Sequence, residues 1–182
     1  MFDTVLIAGL GLMGGSMAKT IKARTLSRVL GWNRTRATAE QALADGSIDA
    51  IATEALYKEA DLVIIGLYPQ ATVDWLLENM PKMKKGCVIV DMVGVKQFMV
   101  DHLEQAALDA GVHYVGGHPM AGREFSGLDY SLPTLFDGAS MIFVPTKSST
   151  ERVLEQLEAY FMSLGFGQTV RCTAQQHDHM IA

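Results

Sequence analysis

Gly9, Gly11 and Gly14 form a G-x-G-x-x-G turn directly behind the apolar run Val5-Leu6-Ile7-Ala8. A helical pattern follows, with Met13, Met17 and Ile21 four apart. A strand, a glycine turn and a helix in that order suit one task, the holding of a dinucleotide's diphosphate. Gly9 makes the tight turn, Gly11 lets phosphates approach the backbone, and Gly14 lets the helix pack closely on the strand. Leu10, Leu12 and Met13 complete the loop. The unpaired N–H groups and the dipole at the helix start favour an anion there.

The second strand ends where the choice of dinucleotide is made. Units that bind NAD place an acidic residue about 20 positions after the glycines, where it accepts from the ribose 2′-hydroxyl. That place holds Asn33, followed by Arg34, Thr35 and Arg36. Asn33 is neutral and does not repel a 2′-phosphate, Arg34 can pair with it as a fork, and Thr35 can donate a hydroxyl. The pattern predicts NADP in preference to NAD. The plainer reading makes Arg34 and Arg36 surface charges at a helix start.

Three further strand ends carry candidate groups. Leu67 and Tyr68 follow a strong apolar strand, and the carboxyl ends of parallel strands face the ligand crevice, so both are expected to line it; Tyr68 as a packing residue is the other reading. The next strand ends in Asp91-Met92-Val93-Gly94-Val95-Lys96, with Gly94 permitting close approach near a nicotinamide. Lys96 opens a helix, where a cation gains nothing from the dipole. That placement suggests a job in the crevice, either binding an anionic substrate or orienting other groups. The sixth strand leads to Gly117-His118-Pro119, and His118 is expected just past the strand terminus. A histidine held there is a natural general base, with a structural, hydrogen-bonded histidine as the alternative.

Strands and helices that alternate along the chain position these groups. The pattern is that of an α/β, Rossmann-type, doubly wound and mostly parallel sheet with helices on both faces. Strands are expected at Val5–Ala8, Arg28–Trp32, Ser47–Ala52 (weak), Asp61–Gly66, Cys87–Asp91, Val112–Val115, Ala139–Val144 and Gln168–Cys172. Helices are expected at Thr35–Ala44, from Pro69 with Val73, Leu76, Leu77 and Met80 buried, at Lys96–Ala110 with Met99, Leu103, Ala106 and Ala110 inward, and at Glu151–Leu164. Gly116 to Gly138 reads as a long functional loop.

The 182 residues, 49% apolar and 19% charged, fit one globular domain with a sizeable core. A net charge of −5 speaks against nucleic acid as a partner. Lys82, Lys84 and Lys85 read as a solvated corner. Cys87 and Cys172 have no metal-ligand spacing, no metal is expected, and no apolar run is long enough to span a membrane. The cytoplasm is the expected location. A last helix begins at Thr173, with Gln176 placed for a capping box, and the pattern stops at Ala182 in mid-course.

In these segments, taken in order, the sequence resembles the prephenate dehydrogenase family. The carriers are Gly9–Gly14, Asp91–Lys96, His118-Pro119-Met120-Ala121-Gly122 with Glu124 and Ser126-Gly127, Leu135–Ala139, and His177-Asp178. They span almost all of the chain, and the His-Pro-Met-Ala-Gly segment is the specific one. The resemblance implies oxidative decarboxylation of prephenate, or of arogenate, on the way to tyrosine, with His118 as the catalytic histidine and Lys96 matching a family lysine. Gly122, Glu124 and Ser126 are the substrate contacts it implies. One departure stands out: Val93-Gly94 occupies the place where the family commonly has Gly-Ser, so a serine hydroxyl is absent. The resemblance further implies that residues 1–172 are the dinucleotide-binding domain. Residues 173–182 would begin the connection to a helical domain that forms a homodimer and completes the substrate pocket. An apolar patch is then expected near Phe161–Ile181, and poor turnover from this stretch alone.

Two other readings share part of the pattern. A β-hydroxyacid dehydrogenase or imine reductase shares the Asn33-Arg34-Thr35 step but not the His118–Gly122 segment. A binding module without chemistry would use the glycine turn alone.

Overall fold

The computed structural model describes residues 2–182. Its eight strands and seven helices run β1 (Thr4–Ala8), α1 (Leu12–Arg24), β2 (Arg28–Trp32), α2 (Arg36–Ala44), β3 (Ala50–Ile51), α3 (Glu54–Tyr57), β4 (Leu62–Ile65), α4 (Pro69–Asn79), β5 (Val88–Asp91), α5 (Gln97–Ala110), β6 (His113–Pro119), β7 (Ser140–Val144), α6 (Glu151–Ser163), β8 (Gln168–Arg171) and α7 (Ala174–Ile181). The sheet order is β3-β2-β1-β4-β5-β6-β7-β8. Strand pairing is parallel throughout except between β6 and β7. The expected doubly wound fold is the one observed.

The inner strands β1, β4, β5 and β7 are buried almost throughout because both faces of the sheet are covered. Successive side chains point to opposite faces. Val5 and Ile7 of β1 join one core with Met17, Ile21, Phe143, Leu157 and Phe161, beneath α1 and α6. Leu6 and Ala8 join the other with Val73, Leu76, Met99 and Leu103, beneath α4 and α5. Sheet order reverses between β1 and β4, and a crevice opens there at the carboxyl ends of the strands.

The turn after β1 is fixed by close backbone contact. Gly9 has φ +94°, and a Cβ on it would lie 2.5 Å from the Gly66 oxygen. A Cβ on Gly14 would lie 1.7 Å from the Gly9 oxygen, so only glycine lets α1 start this close to β1.

The structure corrects several boundaries. The third strand shrinks from Ser47–Ala52 to Ala50–Ile51, because only those residues pair with β2 at the sheet edge. Leu77 is 46% exposed, and Thr72 and Trp75 are buried on α4 instead. On α5 Ala107 is fully buried while Ala106 and Ala110 are only partly so. The sixth strand is longer than expected. Val115 is its last residue paired with β5, and Gly116–Pro119 then pair antiparallel with β7. His118 therefore sits within a strand rather than beyond its end.

Candidate functional site

A cleft of about 1200 Å³ lies along the switch point. It is larger than the roughly 300–1,000 Å³ usual for small-molecule sites, which suits an extended ligand. Gly9, Gly11, Leu12, Met13, Asn33 and Arg34 line one end; Leu67 and Tyr68 line its side, and Met92 to Val95 its floor. Arg123 to Gly127, from the long loop after β6, complete the rim.

The residues fit a dinucleotide. α1 has no acidic residue in its first turn and no side-chain cap at Gly11. Helix geometry leaves the N–H groups of Leu12 and Met13 without a partner in their own helix, and both residues face the cleft. A Cβ built on Gly11 meets nothing within 4 Å, so that position borders open space in the cleft. The loop itself is held rigid: Leu10 N–H donates to Asn33 Oδ1 at 2.9 Å, and Asn33 Nδ2 donates to the Thr35 carbonyl at 3.1 Å. Asn33 thus braces the glycine turn from the end of β2. Leu10 is wholly buried, with its N–H already engaged, and Gly14 is buried under Gly9, so both shape the loop without lining the cleft. Thr35, the residue before α2, is exposed and lies outside the lining, as does Gly122, whereas Glu124 and Ser126 belong to it. Tyr68 is 85% exposed at the rim, which removes its reading as a packing residue.

The end of β5 favours the second of the two readings of Lys96, the orienting one. Lys96 is 0% exposed. Its Nζ donates to Asp91 Oδ1 at 2.5 Å, to the Val93 carbonyl, and to the Val95 carbonyl at 3.2 Å. An ammonium has three donors, and all three are used within its own turn. Lys96 has none left for an anionic substrate; it orders the Met92–Val95 floor instead. The Asp91 carboxylate is equally engaged, accepting from Lys96, from Val93 N–H at 2.9 Å and from Tyr114 Oη at 2.5 Å. It is buried as well, so its side chain does not reach a cofactor. Burial, then the neighbouring Asp91 charge, pushes the Tyr114 phenol well above its ordinary value and keeps it a donor.

Gly116 and Gly117 bring His118 up behind this floor, next to Gly94, although the ring is not itself among the residues that line the cleft. A Cβ on Gly116 would lie 2.9 Å from Lys96 Cδ, and one on Gly117 only 2.4 Å from the Asp91 oxygen. The half-buried His118 ring then stands beside Gly94: a Cβ built there would lie 3.8 Å from both Cε1 and Nε2. Burial first, then the Lys96 ammonium and His177, lowers the His118 pKa below its ordinary 6.5, with Asp91 partly offsetting them.

Sequence reasoning missed the partner of this ring. His118 Nδ1 lies 2.8 Å from Nε2 of His177, and His177 Nδ1 lies 2.8 Å from Asp178 Oδ1. The signal was present, since the Thr173–Gln176 capping box fixes the start of α7 and so the face on which Ala174 and His177 lie buried. Trp32, expected only as a strand end, and Trp75, not singled out in the sequence, also line the cleft with ring centroids 5.6 Å apart. Among the described residues no cluster of His, Cys, Asp or Glu could hold a metal ion, and no helix is long and apolar enough to cross a membrane.

A family model described as "Prephenate dehydrogenase, nucleotide-binding domain" matches residues 17–168. The chain is 34% identical to the prephenate dehydrogenase of Bacillus subtilis, over 98% of this chain and 48% of that protein. Among solved structures, it is similar to the prephenate dehydrogenase of A. aeolicus in complex with hydroxyphenyl propionate and NAD+, with a TM-score of 0.89 and 26% identity, over 99% of this chain and 63% of that one. The arogenate dehydrogenase of Synechocystis gives a TM-score of 0.88 and 25% identity, over 98% of this chain and 62% of the other. The chain spans about half the length of the Bacillus subtilis and Lactococcus lactis prephenate dehydrogenases it matches.

Proposed function

Because this chain belongs to the prephenate dehydrogenase family and matches its nucleotide-binding domain, we propose that it carries the cofactor half of a site that oxidatively decarboxylates prephenate, with NADP preferred to NAD. The observation that supports the reading best is the His118 ring edge beside Gly94 on the cleft floor. A bound nicotinamide dinucleotide supplies the hydride acceptor. The start of α1 binds its diphosphate, and Arg34 meets the 2′-phosphate. His118 Nε2 accepts a hydrogen bond from the substrate's ring hydroxyl and takes that proton as the carbonyl forms. The cofactor, when bound, would take the hydride from the same ring carbon; as carbon dioxide departs and the ring becomes aromatic, protonated His118 returns the proton to the ring oxygen. The family's serine has no counterpart at Gly94, so no side-chain hydroxyl comes to His118 from that position. Gly122, Glu124 and Ser126 are the proposed substrate contacts on the loop. The reading includes a homodimer through a further helical domain, a role supported by exposed Met162, Val170, Met180 and Ile181. Arogenate is the alternative substrate.

The test is incubation of the intact gene product with prephenate and either cofactor. Formation of 4-hydroxyphenylpyruvate and reduced cofactor is expected, and no product with prephenate or arogenate would refute the reading. Cofactor choice is read separately. Arg34→Ala should weaken NADP about 10-fold, the loss of one charge-assisted contact, and leave NAD within about 2-fold. Tighter binding of NAD than NADP by the unaltered chain would sink that preference.

Gly11→Val isolates the phosphate cradle. Its φ of −78° is outside the left-handed region, and a Cβ there would meet no protein atom within 4 Å. The melting temperature should fall by no more than about 4 °C, the cost of a poorer N-cap. Cofactor affinity should fall about 100-fold, because the valine fills the space the diphosphate needs. Titration of both forms with NADP measures this, and unchanged affinity would remove the cradle from the site.

A further inference from the structure

We propose that His177 and Asp178 are positioning residues that fix which nitrogen of His118 carries the proton, so that the Nε2 beside Gly94 of the cleft floor is left as an acceptor. The inference rests on the reading of His118 as the base.

Asp178 closes the argument from the far end. Its Oδ1 accepts from Lys96 N–H at 2.8 Å and its Oδ2 from Gln97 N–H at 2.9 Å, which caps the start of α5 from a helix 81 residues further along the chain. These hydrogen bonds hold Asp178 as a carboxylate: burial acts to raise its pKa, but the bonds from His177, Gln97 and Lys96 outweigh it and the net shift is downward. A carboxylate only accepts. The His177 ring, 2.8 Å from Oδ1, must therefore donate from Nδ1. In the neutral form of His177 the Nε2 is then bare, and at 2.8 Å it accepts from His118 Nδ1–H. A neutral His118 with its proton on Nδ1 has its lone pair on Nε2, the atom beside Gly94. The chain of donors runs one way, from His118 through His177 to Asp178.

The arrangement also links the base to the fold. His177 is 0% exposed, and no rotation of its ring keeps both partners. Because Asp178 caps α5 while His177 holds His118, α7 must be docked for the base to be oriented. Displacing α7 would uncap α5 and free the His118 ring together.

Imidazole nitrogen NMR, recorded above neutral pH on the intact chain, tests this without substrate. The unaltered protein should show His118 protonated at Nδ1 and bare at Nε2. His177→Leu should convert His118 largely to the Nε2–H form and lower kcat about 100-fold, the low end for a lost proton acceptor, with cofactor affinity unchanged. His177→Gln, whose amide oxygen reaches the place of Nε2, should restore the Nδ1–H form and most of kcat. A merely structural role would lower both variants through stability and leave the tautomer alone. His118 found as Nε2–H in the unaltered protein overturns the proposal, as does an unchanged tautomer in His177→Leu. If His177→Leu does not fold, the unaltered spectrum and His177→Gln decide. The expected tautomer with no turnover of prephenate would refute the dehydrogenase reading and leave this one standing.

Discussion

His118→Asn lowers turnover of the intact gene product about 1,000-fold and leaves cofactor affinity within about 3-fold, the signature of a lost proton acceptor rather than a lost binding contact. Asparagine can still bond to His177 across the 2.8 Å gap, so the strand and α7 stay docked, but an amide cannot take a proton. The cradle at Gly11, Leu12 and Met13 is untouched, so binding persists. The pH profile carries the second half of the result. Only neutral His118 can accept the hydroxyl proton. Burial, then Lys96 and His177, holds its pKa below 6.5, so the ring is neutral at physiological pH. The rate should rise with pH through an inflection below 6.5 to a plateau, and that limb should vanish from the residual activity of His118→Asn. The same shift affects stability. The unfolded chain binds this proton more tightly than the fold does, so the site's share of stability is complete above pH 6.5 and declines as pH falls through the lowered value. Steady-state kinetics against pH and cofactor titration check the prediction; normal turnover in the variant would remove His118 from the chemistry.

How much of this was readable in advance depended on the range of the forces involved. The Gly9–Gly14 turn was legible because its causes are local: a positive φ at Gly9 and a Cβ clash at Gly14 follow from neighbours in sequence. The apolar strands were legible because burial on both faces leaves no other composition. The extension of β6 was not. Gly116–Pro119 look like loop residues, and they become a strand only because β7 returns antiparallel beside them. Which of its two possible jobs Lys96 does was not legible, for a related reason. A lysine at a helix start looks like a free cation until Asp91, five residues earlier, is seen to be buried with it. His177 and Asp178 were visible as a pair in a capped helix, but their partners His118, Lys96 and Gln97 are far away in sequence. Side chains that act through long-range bonds leave no periodic trace.

Lys96→Met should cost about 3–5 kcal/mol of folding free energy, a large share of the roughly 5–15 kcal/mol typical of a domain. The two groups of the Asp91–Lys96 pair are both 0% exposed and 2.5 Å apart. Removing the ammonium leaves Asp91 charged in a site that water cannot reach. Tyr114 Oη and Val93 N–H still donate to it, but two neutral donors do not replace an ammonium at that depth. The Val93 and Val95 carbonyls lose their partner in the same step, so the floor under the cleft loosens as well. Denaturant titration should show a lower midpoint with an unchanged slope, since the surface exposed on unfolding is the same. The double variant Asp91→Asn with Lys96→Met should recover more than half of the loss, because it keeps an acceptor for Tyr114 while leaving no buried charge. That recovery separates a desolvated ion pair from a packing defect, which the second substitution would deepen. A loss below about 1 kcal/mol in the single variant would mean that the pair is not sealed from water. Lys96 would then again be available as a direct contact for an anionic substrate.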